Sequence, residues 1–556
     1  MTAGPYWSRM VTAIEDNERK GIVMTRGYLI RTRLAALLWA FMSVLTVEVV
    51  AGSASAATFT VTSAADTSDL LPGDGKCGGS IGRGGIGGIL YIQVCTLRAA
   101  IEEVNAQPVG TGPHTINFNI SGDLTISLTK ALPDIKQPVV IDAGTQPIYV
   151  VDKYQPLSPT LTTCSAVKFN RRPCVQLNAN GWSPVLTLAA GNSTVRFLAI
   201  YNYSGTGVLV TSDNNVVEFS DIGTDASGVP GPAQQLGVAV SPPVGYSASN
   251  NVIRNSLISG NRQNGVLLSG ITVRNNRVAS NFIGTTIDGR AALLAFDFTT
   301  CMNNAQLALG VFIKNGSNNV IEANLISGNC SGVVIDATGQ NDPYDYSNTT
   351  ALRTYNQVLG NRIGIDATGT SLVPNRQYGV RITNASSNAV ASTASGTGNV
   401  IVGSFYAVDI ETKNQHMAAR DNQVLNNYVG ANAAGAPLGN GHTGVLLVGF
   451  LTGTLISGNV VANNPVDGIK LNSVSLSADS GSQNNFVQNN TASNNGHDGI
   501  WLDSGATGNT LQGNTALGNQ IADLVDDNPS VSGVCPNTWI GNTFGTVGGV
   551  GASCIQ

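Results

Sequence analysis

The C-terminal half of the chain carries side chains whose types and spacing could do acid–base chemistry. They fall on successive copies of one short phrase: a glycine, a β-branched residue, any residue, then an aliphatic residue. In Gly379-Val380-Arg381-Ile382 the variable position is Arg381, and in the related Ala407-Val408-Asp409-Ile410-Glu411 it is Asp409, with Glu411 two residues on. Gly468-Ile469-Lys470-Leu471 offers Lys470, and Gly499-Ile500-Trp501-Leu502-Asp503 offers Trp501 and Asp503. The residues just before these phrases add Tyr378, Tyr406, Asp467 and Asp498, with His497 adjacent. If the copies stack at about 4.8 Å, carboxylates one copy apart reach the separation of a retaining glycosidase pair. Arg381 or Lys470 among them would serve proton abstraction or charge neutralisation in a lyase. Tyr378, Tyr406, Trp501 and His497 are the candidates for contact with substrate, their rings offering faces to sugars. Earlier copies hold Leu209, Ala239, Leu267 and Phe312 at the variable position, so the charge is a local enrichment in a chain with 11% charged residues. The competing reading makes these side chains solvated charges and rings packed under loops.

The elements that must position them are legible in the repetition itself. Further copies of the phrase begin at Gly207, Gly237, Gly265, Gly310, Gly332 and Gly444. Neighbouring glycines stand 22 residues apart at 310 and 332 and 24 apart at 444 and 468, a base period with insertions that marks a solenoid. Between the copies lie Asn250-Asn251-Val252-Ile253, Asn318-Asn319-Val320-Ile321, and the phrase Leu-Ile-Ser-Gly-Asn at 257–261, 325–329 and 455–459. These short runs alternate with period two, and no helical periodicity separates them. The expectation is an all-β chain forming a single right-handed parallel β-helix with an N-terminal helical cap, aliphatic residues inside and asparagines stacked at the corners.

A second set of phrases, Ile222-Gly223-Thr224-Asp225, Ile283-Gly284-Thr285-Thr286-Ile287-Asp288, Ile363-Gly364-Ile365-Asp366 and Val429-Gly430-Ala431-Asn432, each runs on to a further glycine and reads as protruding turns. Their aspartates suggest calcium, but the tandem Gly-Gly-x-Gly-x-Asp pattern of calcium-loaded solenoids is missing, so the expectation is turn chemistry and no cofactor. The polar stretch Asn341–Asn348 reads as a loop at a groove rim. At the ends, Leu97, Ala100, Ile101 and Val104 share one helical face suited to a lid on the first coil.

Arg31 and Arg33 precede an apolar run from Leu34 to Val47 and then Ala54-Ser55-Ala56, which reads as a secretory signal over 1–57, with Met24 a more ordinary start than Met1. The run falls short of the roughly 20 apolar residues of a spanning helix, so no membrane span is expected after cleavage. All eight cysteines follow that point, and the simplest connectivity joins neighbours: Cys77 with Cys95, Cys164 with Cys174, Cys301 with Cys330, Cys535 with Cys554. Other pairings remain open at this level. No Cys/His spacing suggests zinc, so no metal is expected, and a net charge of −5 leaves no basic field for nucleic acid. The expected division is a capping region over 58–145, coils over 146–530, and a disulfide-stapled cap over 531–556.

The opening, Thr58-Phe59-Thr60-Val61-Thr62 with Ala65-Asp66, Cys95-Thr96-Leu97-Arg98-Ala99-Ala100-Ile101 and Ile126-Ser127-Leu128-Thr129, resembles the CSLREA domain, a short module of bacterial surface and secreted proteins. Here the naming stretch reads Cys-Thr-Leu-Arg-Ala-Ala rather than Cys-Ser-Leu-Arg-Glu-Ala. The Asn-rich coils resemble the parallel β-helix repeats of the pectin-lyase-like superfamily. That resemblance implies the fold and secretion, while the superfamily spans lyases, glycoside hydrolases, epimerases, tailspikes and adhesins. The functional expectation is a secreted or cell-surface protein engaging extracellular polysaccharide or a surface glycan, as a polysaccharide lyase or glycoside hydrolase. The alternative is a non-catalytic adhesin or structural surface protein.

Overall fold

A computed structural model describes residues 55–556 except 79, 85–87, 93, 153–154, 167–172, 233, 295–298, 300, 302–307, 339–351, 393–396, 413–417 and 474–480. The signal-like segment before residue 55 and the stretch Asn341–Asn348 lie outside the described residues. Each coil contributes short strands to three sides, and among the described residues these build parallel sheets of 15, 13 and 14 strands in which each strand pairs with its equivalents one coil away. The architecture is a right-handed parallel β-helix. Alternation explains its core: Ile321, Ile326 and Val333, on the three sides of one coil, are all fully buried, while the strand neighbours Val320, Glu322 and Val334 are only partly buried. The glycine that opens each phrase is forced by close approach, since a Cβ on Gly265 would lie 2.6 Å from Ile283 Cγ2 and 2.7 Å from Gly310 O.

Parallel strands this short need another axial bond, and the corners supply it. In one column Asn276 Nδ2 donates to Asn319 Oδ1 at 3.0 Å and Asn319 Nδ2 to Asn356 Oδ1 at 3.1 Å. A second column runs through Asn281, Asn324, Asn361, Asn399 and Asn427, each amide bonding the next. In many of these corners the preceding residue is also asparagine and takes the left-handed backbone, as Asn250 (φ 58°) before Asn251 and Asn318 (φ 55°) before Asn319. The first column breaks at Thr454, whose buried Oγ1 has no partner while its N–H still donates to Asn485 Oδ1 at 2.9 Å. Restoring the rung with Thr454→Asn is expected to stabilise the fold by about 1 kcal/mol, read as a rise in denaturation midpoint; an unchanged or lower midpoint would contradict this account of the column.

The helix α1 (Leu97–Ala106) lies where the lid was expected, capped by the Thr96 hydroxyl accepting from Ala99 N–H at 3.1 Å, with Leu97, Ala100, Ile101 and Val104 buried. It also buries two charged groups. Arg98 pairs with Asp66 at 2.9 Å and donates to the Lys130 and Ala131 carbonyls. Glu103 accepts the N–H groups of Gly73 (2.7 Å) and Gly75 (3.2 Å), and burial, then the neighbouring Asp69, push its pKa up to about 7. A raised native pKa means the native state takes up the proton, so this contribution is complete below the ordinary value of 4.5 and lost as pH rises through about 7. Glu103→Gln should therefore raise the melting temperature relative to wild type at pH near 8 and lose that advantage near pH 5; equal shifts at both would disprove the linkage.

Parallel pairing starts at Thr58–Val61 against His114–Phe118, inside the segment expected as a cap, and its last strands, Thr538–Ile540, Thr543–Phe544 and Val547–Gly548, lie inside the C-terminal one. The four disulfides join neighbours as expected: Cys77–Cys95, Cys164–Cys174, Cys301–Cys330 and Cys535–Cys554. Such bonds fit an oxidising compartment, periplasmic or extracellular. Among the described residues no helix is long and apolar enough to cross a membrane.

The protruding turns form on alternate coils of the 14-stranded sheet, after Ile222, Ile283, Ile363 and Val429, and the intervening coils turn tightly after Ile258, Ile326 and Ile401. The first three loops each lean over the tight turn that follows: a Cβ on Gly260 would meet Pro230, one on Gly328 would meet Ala292, and one on Gly403 would meet Leu372 and Pro374. Asp366 accepts the N–H groups of Thr370 and Ser371, and Asp225 those of Ser227 and Val229, so these carboxylates hold their own turns.

Candidate functional site

The predicted residues lie along the outer face of the 13-stranded sheet, where register stacks Arg381, Asp409, Leu446, Lys470, Trp501 and Val525 in one row. Leu446 divides that row into two groups. In the first, the Arg381 guanidinium sits 4.2 Å above the Tyr378 ring, its Nε 3.3 Å from Asp409 Oδ2, and its Nη2 on Glu411. Tyr378 and Tyr406 stack at 5.9 Å, and burial pushes the Tyr378 phenol up to about 12. Asp409 was expected on the outer face; it is there but covered by Arg381, its side chain 4% exposed.

In the second group, Lys470 Nζ lies 3.2 Å from the centre of the Trp501 ring, and Trp501 Nε1 donates to Asp527 Oδ2 at 2.8 Å. His497, 42% exposed, places Nδ1 3.1 Å from Asp467 Oδ1 and 2.7 Å from Asp498 Oδ2, both carboxylates being buried beneath it. Burial raises the Asp498 pKa, with Asp467 adding to the shift and His497 opposing it. One ligand atom from each of the three lies within 4.8 Å of the others, a spacing that also suits a divalent cation, although no local sequence spacing announces it because the ligands come from two coils. Asp503 joins neither group: its carboxylate accepts the Ser504 N–H.

Two residues not anticipated link the groups. His442 stands 5.1 Å from the Tyr406 ring and 4.9 Å from Phe405, and its basicity is lowered first by burial, with Asp467 opposing and Lys470 adding. Its signal was its offset, since His442, Phe405 and His497 each stand two residues before the Gly or Ala that opens a phrase. The assembled strip spans five coils, about 19 Å at the usual strand spacing.

No family model and no curated relative matches the chain. Among solved structures, the chain is similar to the Dettilon tailspike protein gp208 (15% identity, 78% of this chain, TM-score 0.35), of whose length it spans 61%. It is also similar to the A-module of the mannuronan C-5 epimerase AlgE6 of Azotobacter vinelandii, at 13% identity over 80% of this chain and 93% of that one, with TM-score 0.37. A third is the PL6 family polysaccharide lyase Pedsa3628 of Pseudopedobacter saltans, at 12% identity over 82% and 92%, with TM-score 0.39. The fold assignment rests on the sheets described above, not on these likenesses.

Proposed function

We propose that this is a secreted protein that holds an acidic polysaccharide along the strip and cleaves it by β-elimination. The observation that carries the reading is His497: Nδ1 is held between two buried carboxylates, leaving Nε2 of a half-exposed ring as the proton acceptor. In the step proposed, Nε2 removes the proton α to the uronate carboxylate. The electron pair becomes the new C=C bond, the glycosidic C–O bond breaks, and the departing oxygen gains a proton from water. Lys470, one coil away on the Trp501 ring, is the cation that faces the uronate carboxylate, and the exposed edges of the Tyr378 and Tyr406 rings border sugars on the far side of Leu446, the Tyr378 face being covered by Arg381. A hydrolase using two carboxylates is less well supported, because Asp409 and Glu411 are bound by Arg381, and Asp467 and Asp498 lie under His497.

The test is a panel of uronate-containing and neutral polysaccharides, followed by ultraviolet absorbance of unsaturated ends and by new reducing ends, with and without chelator. Both signals on a uronate polymer, surviving chelator, support the reading. Reducing ends alone would replace it with hydrolysis, chelator sensitivity would move the chemistry to a cation on Asp467, His497 and Asp498, and binding without either signal would make the protein a non-catalytic glycan binder.

A further inference from the structure

The loops on the 14-stranded sheet are packed unequally. Between the second and third loops the gap is closed: Ala367 N–H donates to Gly289 O at 2.9 Å, and a Cβ on Gly289 would lie 2.7 Å from both Ala367 Cβ and Leu325 Cδ2. Between the third and fourth loops a cleft of about 270 Å³ stays open, although Asn432 Nδ2 bridges to Gly369 O at 3.1 Å. Its floor reaches the buried Ile365 and Val400, its exposed apolar wall is Ala433 and Ala434, its rim carries the Thr368 and Thr370 hydroxyls, and the exposed Arg362 lies at its side. Arg362 spends Nη1 on the Ala367 carbonyl at 2.7 Å, and no carboxylate pairs with it among the described residues.

We propose that this cleft is a second carbohydrate site that takes one uronic acid residue, its carboxylate on Arg362, a C–H face of the ring against Ala433 and Ala434 above Val400, and its hydroxyls donating to Thr368 and Thr370. The match is chemical: a guanidinium without an acidic partner selects an anion, while the volume and apolar floor suit a sugar ring better than a small inorganic ion. The site stands on a different sheet from the His497 strip and does not depend on what that strip does.

The full-length protein would be titrated by calorimetry and saturation-transfer NMR with galacturonate, glucuronate, glucose and acetate, and with a short uronate oligosaccharide to separate free sugar from chain residue. Saturable binding of the uronates is expected, with glucose and acetate weaker by at least about tenfold and Arg362→Gln weakening uronate binding by about 10- to 100-fold. Ala433→Trp, which fills the cleft and leaves Arg362 in place, should abolish it, and both variants should keep wild-type melting and wild-type behaviour towards polymer at the strip. Uronate binding insensitive to both variants, or lost with Trp501→Ala instead, overturns the proposal, as does the absence of any saturable uronate binding.

Discussion

Replacing His497 by alanine is expected to lower the rate of polymer cleavage by about a thousandfold, the contribution of a positioned general base. Binding of the polymer should change little, because the rings and cations of the strip remain. The loss is expected in kcat rather than KM, and partial recovery with added imidazole would show that the missing group is a proton acceptor and not a support. Folding should survive: the ring is half exposed, and Asp498, whose pKa burial already raises, can take up a proton and relieve the uncovered pair. Asp467→Asn offers the matching control, leaving the ring in place but changing what orients it. If His497→Ala cleaves at the wild-type rate, the base lies elsewhere and the proposed mechanism is wrong.

Asn324→Ala is expected to cost about 4 kcal/mol, a large penalty for removing a small polar side chain. Asn324 Oδ1 accepts both the N–H (2.9 Å) and Nδ2 (3.0 Å) of Asn281, and its own Nδ2 reaches Val278 O at 2.9 Å and Asn361 Oδ1 at 3.0 Å. Truncation strands two buried donors and a carbonyl, each costing about 1–3 kcal/mol when left unpaired. Hydrogen exchange should report the loss as opening of the adjoining coils first, since contacts in a solenoid run between neighbours. A cost near that of an exposed Asn→Ala change would mean the column is a passenger on the sheets.

The coil was legible because its rules are local. The Gly-initiated phrase and the asparagines each state a requirement that successive coils repeat, and each cysteine's partner is the neighbouring cysteine along the chain, so the sheets, the corner ladders and the disulfide pairing all emerged as expected. Two things were hidden. The phrase Leu-Ile-Ser-Gly-Asn was read as one recurring element, yet Leu257 and Leu325 lie in the 14-stranded sheet and Leu455 in the 15-stranded one. All sides of a coil ask for an aliphatic inward residue and an asparagine corner, so local sequence does not say which side it serves. The five-residue spacing of Asn485, Asn490 and Asn495, one corner each, was the available key. The site was legible as a face but not as contacts: that Arg381 is shared by two acids, and that Asp467 and Asp498 close on His497, depends on side chains meeting across coils separated by insertions of unequal length.

The alternation of loops and tight turns also bears on how such a molecule can grow or shrink. Removing a single coil near residue 325 would set two long loops on adjacent coils, with no bare turn for the first to cover, while removing a looped coil would set two tight turns side by side and leave the second without its cover. The hydrogen-bonded columns tolerate either change, since most coils offer asparagine at the same corners. Duplication and loss on this flank are therefore quantised in pairs of coils, and variants of this protein that differ in length there should differ by even numbers of turns.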